Sequence, residues 1–278
     1  MSAVRFHAGS RPINEWVFAA LVAGSFAACA AALFILRKAW DLDRFTRPFV
    51  LMIFFLYLGL TLGAFAQHFA GKPGADNPTL RNVVGVVSFQ GVSLILVWRF
   101  TREHETSWNE GFGFSVNWTL ALLFGVLAAC IFLPVGMLLK KAAVTLIVAI
   151  HMEPQVQPAV EALAHTVTWL DRAAFGIVTI AIVPPAEELM FRGILYRAIK
   201  GAGYPRLALW GTSLLFAGIH RDLAVFVPLF LFAVLLVKLY DRTNNLLAPV
   251  AAHVVFNAAN FVAFFLVEES GNTSPPHR

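Results

Sequence analysis

Charge is scarce in this sequence. Only 13% of its 278 residues are Asp, Glu, Lys or Arg, where a soluble domain carries about 25%. Hydrophobic residues reach 59%, against about 45–50% in a soluble domain. That excess cannot be buried in one globular core, so a water-soluble enzyme is excluded. Intrinsic disorder is excluded too, since it needs few apolar residues and a high net charge. Cysteine is nearly absent: Cys29 and Cys130 both sit within apolar runs, which rules out a disulfide framework or a cysteine metal pair. The net charge of +5 is spread thinly, and no basic run is long enough for a nucleic-acid partner. Lys and Arg at the ends of apolar runs suit anionic lipid headgroups instead. The sequence shows no soluble domain, low-complexity tract or convincing internal repeat.

What it has is long apolar runs. A membrane crossing takes about 20 residues, so the length predicts an all-α, polytopic transmembrane helical bundle of seven or eight membrane helices. The runs are Trp16 to Leu36, Phe49 to Phe69, Val83 to Phe100, Trp118 to Leu139, Ala173 to Ala198, Leu207 to His220, Leu223 to Tyr240 and Leu246 to Val267. Lys140-Lys141 interrupts after the fourth, leaving a shorter piece, Ala142 to Ile150, as a helix extension, a re-entrant segment or a surface helix. Residues 152–171 are more polar, contain Pro154 and Pro158, and read as an interfacial linker. Basic residues favour the cytoplasm. Arg197, Lys200, Arg206, Lys238 and Arg242 fall on the inner side of a seven-crossing arrangement, but Lys72, Lys140, Lys141 and Arg172 fall outside, so the bias is slight.

An ionisable side chain deep in a span costs about 2.5–3.5 kcal/mol on insertion scales and marks a functional position by default. Only two acids lie deep, and they are adjacent: Glu187 and Glu188. Residues four apart share a helix face, so Glu188 can pair with Arg192, while Glu187 is turned about 100° away. Phe216 and His220 share a face in a later run, and so do His253 and Asn257, with Asn260 extending that stripe. Counted from Arg197, Arg206 and Asn245 at about 1.5 Å per residue, Glu187, His220 and His253 fall roughly 15, 21 and 12 Å deep. All three lie near the middle third of a layer about 30 Å thick. Pro184-Pro185 precedes the acids and predicts a bent or broken helix beside a wet cavity. If a helix restarts there, the glutamates occupy its first turn, where the dipole favours carboxylates.

Glu187-Glu188-Leu189-Met190-Phe191-Arg192-Gly193 resembles the EExxFRG motif of the CPBP family, intramembrane proteases that include CAAX prenyl endopeptidases and abortive-infection-type bacterial proteins. Phe216-Ala217-Gly218-Ile219-His220 is similar to that family's FxxxH motif and His253-Val254-Val255-Phe256-Asn257 to its HxxxN motif. The motifs stand in the family's order on separate runs, and the resemblance covers roughly Ala173 to Val267. It implies scaffold helices over 1–151, the linker over 152–171, a catalytic core of four helices over 172–268 and a polar tail over 269–278. It also implies hydrolysis of a peptide bond within the membrane, in a membrane-associated or lipid-modified (CAAX-like) substrate. Glu187, helped by His220, would activate water. His253 and Asn257 would donate hydrogen bonds to the oxyanion, with Glu188, Arg192 and Phe216 in support. No cofactor is required in this reading. The same residues also permit a zinc version in which Glu187, His220 and His253 hold Zn²⁺ with water in the fourth place. The expected location is the inner membrane of a bacterium, in direct contact with lipid.

Two readings of another class remain open on the residues alone. Midplane glutamates and histidines beside a proline-broken helix also suit a proton-coupled transporter, although the repeat such carriers show is missing. A non-catalytic immunity or scaffold protein would also keep this architecture. Other intramembrane chemistries fit worse. His104-Glu105 lacks the second His of HExxH, Gly211-Thr212-Ser213-Leu214 lacks the final Gly of a rhomboid-type GxSG, and no aspartate lies deep in a span.

Overall fold

Backbone amides inside a hydrocarbon layer have no water to bond to, so a chain that crosses it must satisfy them internally. The computed structural model describes residues 105–154, 158–164, 166, 168–220 and 222–269, with residues 83, 86, 87, 90, 91, 93–95, 97, 98, 101 and 102. Among these there are helices and no strand, so the expected all-α membrane bundle is what forms. The runs Trp16 to Leu36 and Phe49 to Phe69, most of Val83 to Phe100, Cys29 and the tail beyond residue 269 lie outside the described residues. All described residues fall in the larger of two units into which the chain divides, residues 42–278.

From residue 105 onward the described helices are, in order, α1 (Trp108–Phe112), α2 (Trp118–Ala149), α3 (Pro158–Ala164), α4 (Trp169–Gly201), α5 (Pro205–Ile219), α6 (Leu223–Thr243) and α7 (Leu247–Glu269). Among the described residues α2, α4, α6 and α7 are long and apolar enough to cross a membrane. The chain is an integral membrane protein.

Of the three forms open to Ala142 to Ile150, the helix extension is the one that forms: α2 runs unbroken for 32 residues, and Lys140-Lys141 does not end it. Lysine is a good helix former, and both side chains are exposed. They lie about 33 Å from Trp118 at about 1.5 Å per residue, where the hydrocarbon layer ends and long basic side chains reach headgroups. Nor do Pro184 and Pro185 break α4. A π-helical turn, Val178–Ile182, widens the coil just before them, and the helix continues through a second π stretch, Leu189–Tyr196, to Gly201. Because the helix does not restart, the glutamates have no N-terminal dipole to draw on. The expected linker region contains α3, and α4 begins at Trp169, before the expected boundary.

Small residues set how closely the helices approach. A Cβ at Gly125 would lie 2.3 Å from the Ala248 carbonyl oxygen and 2.9 Å from the Ala251 Cβ, while one at Gly136 would lie 3.7 Å from the Phe256 ring. These contacts make α2 and α7 parallel neighbours. The Phe232 ring of α6 stacks on Phe256 at 4.3 Å and tilts against Phe132 at 5.2 Å, which closes the three-helix contact. Gly176 of α4 meets Phe261, and Gly193 meets Leu246 and Phe112, so α4 runs antiparallel to α7.

One end of the bundle is tied down by polar contacts. The Ser107 hydroxyl and amide bond Glu110 in a capping box for α1, which holds that carboxyl below its usual range. Gly113, in the left-handed region at φ 73°, lets the chain pass against Asn244, since a Cβ there would lie 2.0 Å from the Asn244 carbonyl oxygen. The Leu246 amide donates to the Phe112 carbonyl at 2.9 Å, and the buried Asn245 amide donates to the Val116 carbonyl at 2.7 Å. Arg197 donates to the Gly111 carbonyl. Tyr196 and Lys200 both bond Asp241, each at 2.6 Å.

Gly125→Leu is expected to cost about 1–3 kcal/mol through overpacking against α7, measured as a fall in thermal midpoint in detergent. Gly201→Ala, where a Cβ meets nothing within 4 Å, is expected to be neutral or stabilising because it lowers the entropy of the unfolded chain.

Candidate active site

The site lies between α4 and α7, with α5 and α6 packed behind it. Both glutamates stand on the α-helical stretch Val183–Glu188, between the two π segments. Glu188 is fully buried and accepts from two sides. Arg192 Nη1 donates to its Oε1 at 2.8 Å, and His253 Nδ1 stands 2.8 Å from the same oxygen. Arg192 is also buried and donates Nη2 to the Ala233 carbonyl of α6 at 3.3 Å. Its guanidinium lies over the Phe216 ring at 4.6 Å. An intramembrane ion pair is thus matched by a backbone acceptor and an aromatic face, as a desolvated charge requires.

His253 links the two acids. With Nδ1 on Glu188, its Nε2 points to Glu187, whose Oε2 is 3.9 Å away. That distance is too long for a hydrogen bond. Glu187 keeps 14% of its side chain exposed, and its Oε2 is a buried oxygen with no hydrogen-bond partner. Glu188 Oε2 and Arg192 Nε are likewise unpartnered. Phe216 and Phe232 meet the His253 ring edge-on, at 5.7 and 5.8 Å, and fix its plane.

His220 caps the C-terminus of α5. Its Nδ1 is 2.7 Å from the Phe216 carbonyl. A carbonyl only accepts, so Nδ1 carries the proton and Nε2 is left as an acceptor. The Phe216 ring is 5.1 Å from the His220 ring and 5.7 Å from that of His253, so both histidines pack on one phenylalanine. Asn257 is one turn past His253 on α7, and its Nδ2 donates to the Thr179 carbonyl of α4 at 2.9 Å. Asn260 bonds its own helix at the Phe256 carbonyl and is exposed. Beside the site, an apolar groove of about 650 Å³ runs between α4 and α7, lined by Gly176, Ile177, Ile180, Phe261 and Phe265 with Arg172 among them.

Sequence spacing therefore anticipates the Glu188–Arg192 pair and the divergence of Glu187, and the structure joins them to His253. Spacing within a single helix gives no sign of the Glu188–His253 bond, which joins residues 65 apart. Nor does it explain Gly193, where a Cβ would lie 2.8 Å from the Phe112 ring, so this glycine admits α1 to the core. As for zinc, no three His, Cys, Asp or Glu side chains among the described residues stand together as a ligand set. His220 Nδ1 is taken by its own helix, which leaves Nε2 as the ring nitrogen it could offer to a metal or a water.

The fold and site define a membrane-embedded helical domain in which carboxylates, imidazoles and a carboxamide converge between spans. Residues 169–259 match the family model described as "Type II CAAX prenyl endopeptidase Rce1-like". The match falls on the segment that carries all three motifs. The chain is also similar to "Uncharacterized protein YpbD" of Bacillus subtilis (strain 168), 36% identical over 77 residues, which is 26% of this chain and 36% of that protein. This chain therefore spans little more than a third of that relative. No solved structure matches.

Arg192→Leu strands Glu188 as a buried carboxylate without its counter-charge and is expected to cost about 3–5 kcal/mol. Glu188→Leu combined with Arg192→Leu removes both charges and is expected to melt higher than Arg192→Leu alone. Thermal unfolding of the three proteins in one detergent checks the order.

Proposed function

We propose that this protein is an intramembrane endopeptidase acting on a membrane-associated or lipid-modified protein, with Glu187 as general base. The observation that carries the proposal is the buried, unpartnered Glu187 Oε2 facing His253 Nε2 across 3.9 Å. A gap of that size suits a water molecule bonded to both groups. Glu187 takes a proton from this water as its oxygen attacks the scissile carbonyl carbon, and the carbonyl π electrons move onto oxygen. His220, through its free Nε2, accepts a hydrogen bond from the water's other O–H, which stays on the attacking oxygen. The tetrahedral oxyanion is held by His253, acting as an imidazolium that donates Nδ1–H to Glu188 and Nε2–H into the site. The Asn257 amide hydrogen not used on Thr179 is the second donor. Collapse breaks the C–N bond, and Glu187 returns its proton to the leaving amine. Donors aimed at developing charge in a site shielded from water count for more than the same donors in solution.

Several features support this reading beyond the family match. Glu188 and Arg192 orient His253 in the way an acidic partner orients the histidine of other hydrolytic sites. The groove between α4 and α7 is apolar, which suits a lipid-modified chain. The basic residues Arg197, Lys200, Arg206, Lys238 and Arg242 gather at the end of the bundle that holds the α4–α5 and α6–α7 turns. We place that end in the cytoplasm of a bacterium, with the protein in its plasma membrane. No step runs through a metal.

Glu187→Gln keeps the shape and removes the base, and is expected to lower hydrolysis by about 10²–10⁴-fold. Mass spectrometry of protein termini in cells with wild-type or Glu187→Gln protein checks this: termini present only with wild type identify the substrate. Identical termini at matched expression would favour a carrier or a non-catalytic protein instead. Hydrolysis by the purified protein is expected to survive prolonged treatment with a zinc chelator. A loss restored by added Zn²⁺ would make Glu187, His220 and His253 ligands.

A further inference from the structure

Two adjacent prolines follow the π turn before the acidic pair, and the first of them leaves a particular backbone carbonyl to account for. In Val178–Ile182 hydrogen bonds run five residues back, and the Val183 amide donates to the Val178 carbonyl. The next donor in that register is residue 184, facing the Thr179 carbonyl. Residue 184 is proline, which has no N–H. In a low-dielectric layer a carbonyl without a donor is costly. The Thr179 hydroxyl cannot serve, because it donates to the Phe175 carbonyl at 2.8 Å. The donor comes from another helix: Asn257 Nδ2, at 2.9 Å.

We propose that Asn257 is a positioning residue, replacing across the α4–α7 interface the hydrogen bond that Pro184 deletes, and so holding the π turn that sets where Glu187 and Glu188 point. The geometry gives this contact its leverage. His253, one turn earlier on α7, meets Glu188 beyond the prolines, while Asn257 meets Thr179 before them. The two contacts straddle Pro184-Pro185 and fix both the rotation and the axial offset of α4 against α7. One of them alone leaves the bend between free to turn. The Asn257 amide carries two hydrogens, so one is committed to the backbone of α4 whatever the other does during reaction. The consequence for hydrolysis rests on the protease reading, whereas the clamp itself does not.

The test is a cycle of Asn257→Ala, Pro184→Ala and the double substitution in the full-length protein, read by thermal midpoint in detergent and by amide hydrogen exchange. Asn257→Ala is expected to lower the midpoint by about 2–4 °C, the shift that loss of one modest interaction gives a chain of this size. It should also raise exchange in peptides covering residues 178–188. Pro184→Ala returns an N–H opposite the Thr179 carbonyl. In its presence Asn257→Ala is expected to have less than half its effect on both readouts, and Glu187-dependent cleavage should recover at least in part. An Asn257→Ala protein with wild-type midpoint and exchange overturns the clamp, and a loss of cleavage alone would leave Asn257 as an oxyanion donor only. An effect of Asn257→Ala that is undiminished in the double variant also overturns it. Should Pro184→Ala itself lower the midpoint, exchange in Asn257→Ala alone decides: an increase confined to residues 178–188 supports the clamp, and a uniform increase across all helices overturns it. Because midpoint and exchange need no substrate, absence of cleavage by the wild-type protein would count against the protease reading and leave the clamp standing.

Discussion

The structure around the site is organised by the burial of two opposite charges, Glu188 and Arg192, where neither water nor lipid can solvate them. Each nearby helix supplies something the pair needs. The α6 backbone offers the Ala233 carbonyl, α5 offers the face of Phe216, and α7 brings His253 to the same carboxylate oxygen that Arg192 uses. A pair left with only its own mutual attraction would barely repay its desolvation. Surrounded in this way, it becomes the fixed point from which the more exposed Glu187 is aimed. The division of labour between two adjacent glutamates comes from the helix period: a rotation of about 100° turns one toward the ion pair and leaves the other an unpartnered oxygen.

Phe216 has a second use in this arrangement. Its ring lies under the Arg192 guanidinium, edge-on to Phe191 and against both histidine rings, and it is completely buried. An aromatic face takes positive charge more readily than an aliphatic side chain does, so the ring both packs and solvates. That accounts for an aromatic four residues before His220 without giving it any part in bond making.

Much of this was legible before any coordinates. Apolar runs locate α4 to α7 to within a few residues, because length and hydropathy are what the bilayer selects. The pairing of Glu188 with Arg192 comes from spacing on one helix. What spacing cannot show is a change of period. A π turn holds one more residue than an α turn and shifts the facing of every later residue on the helix. Val178–Ile182 and Leu189–Tyr196 leave no mark in the hydrophobic pattern. Pro184-Pro185 read as a break because proline cannot extend the ordinary ladder, yet the wider coil accommodates both rings. Lys140-Lys141 ends the apolar run and so leaves three forms open for the residues beyond, and the helix extension is the one that forms because lysine does not end a helix. The contacts of Gly193 with Phe112 and of Glu188 with His253 join distant segments and depend on tertiary packing alone.

The shortness of α5 bears on how water reaches an apolar interior. Fifteen residues span about 22 Å, well short of a layer about 30 Å thick. The turn after it carries His220 and the buried Asp222 carboxylate, which accepts from the Ala224 amide at 2.8 Å. Lipid meets such a mismatch by thinning or by yielding to polar surface. A helix of that length that starts at one surface ends short of the other by about a quarter of the layer's thickness, and so shortens the path that water must travel to a carboxylate beside it.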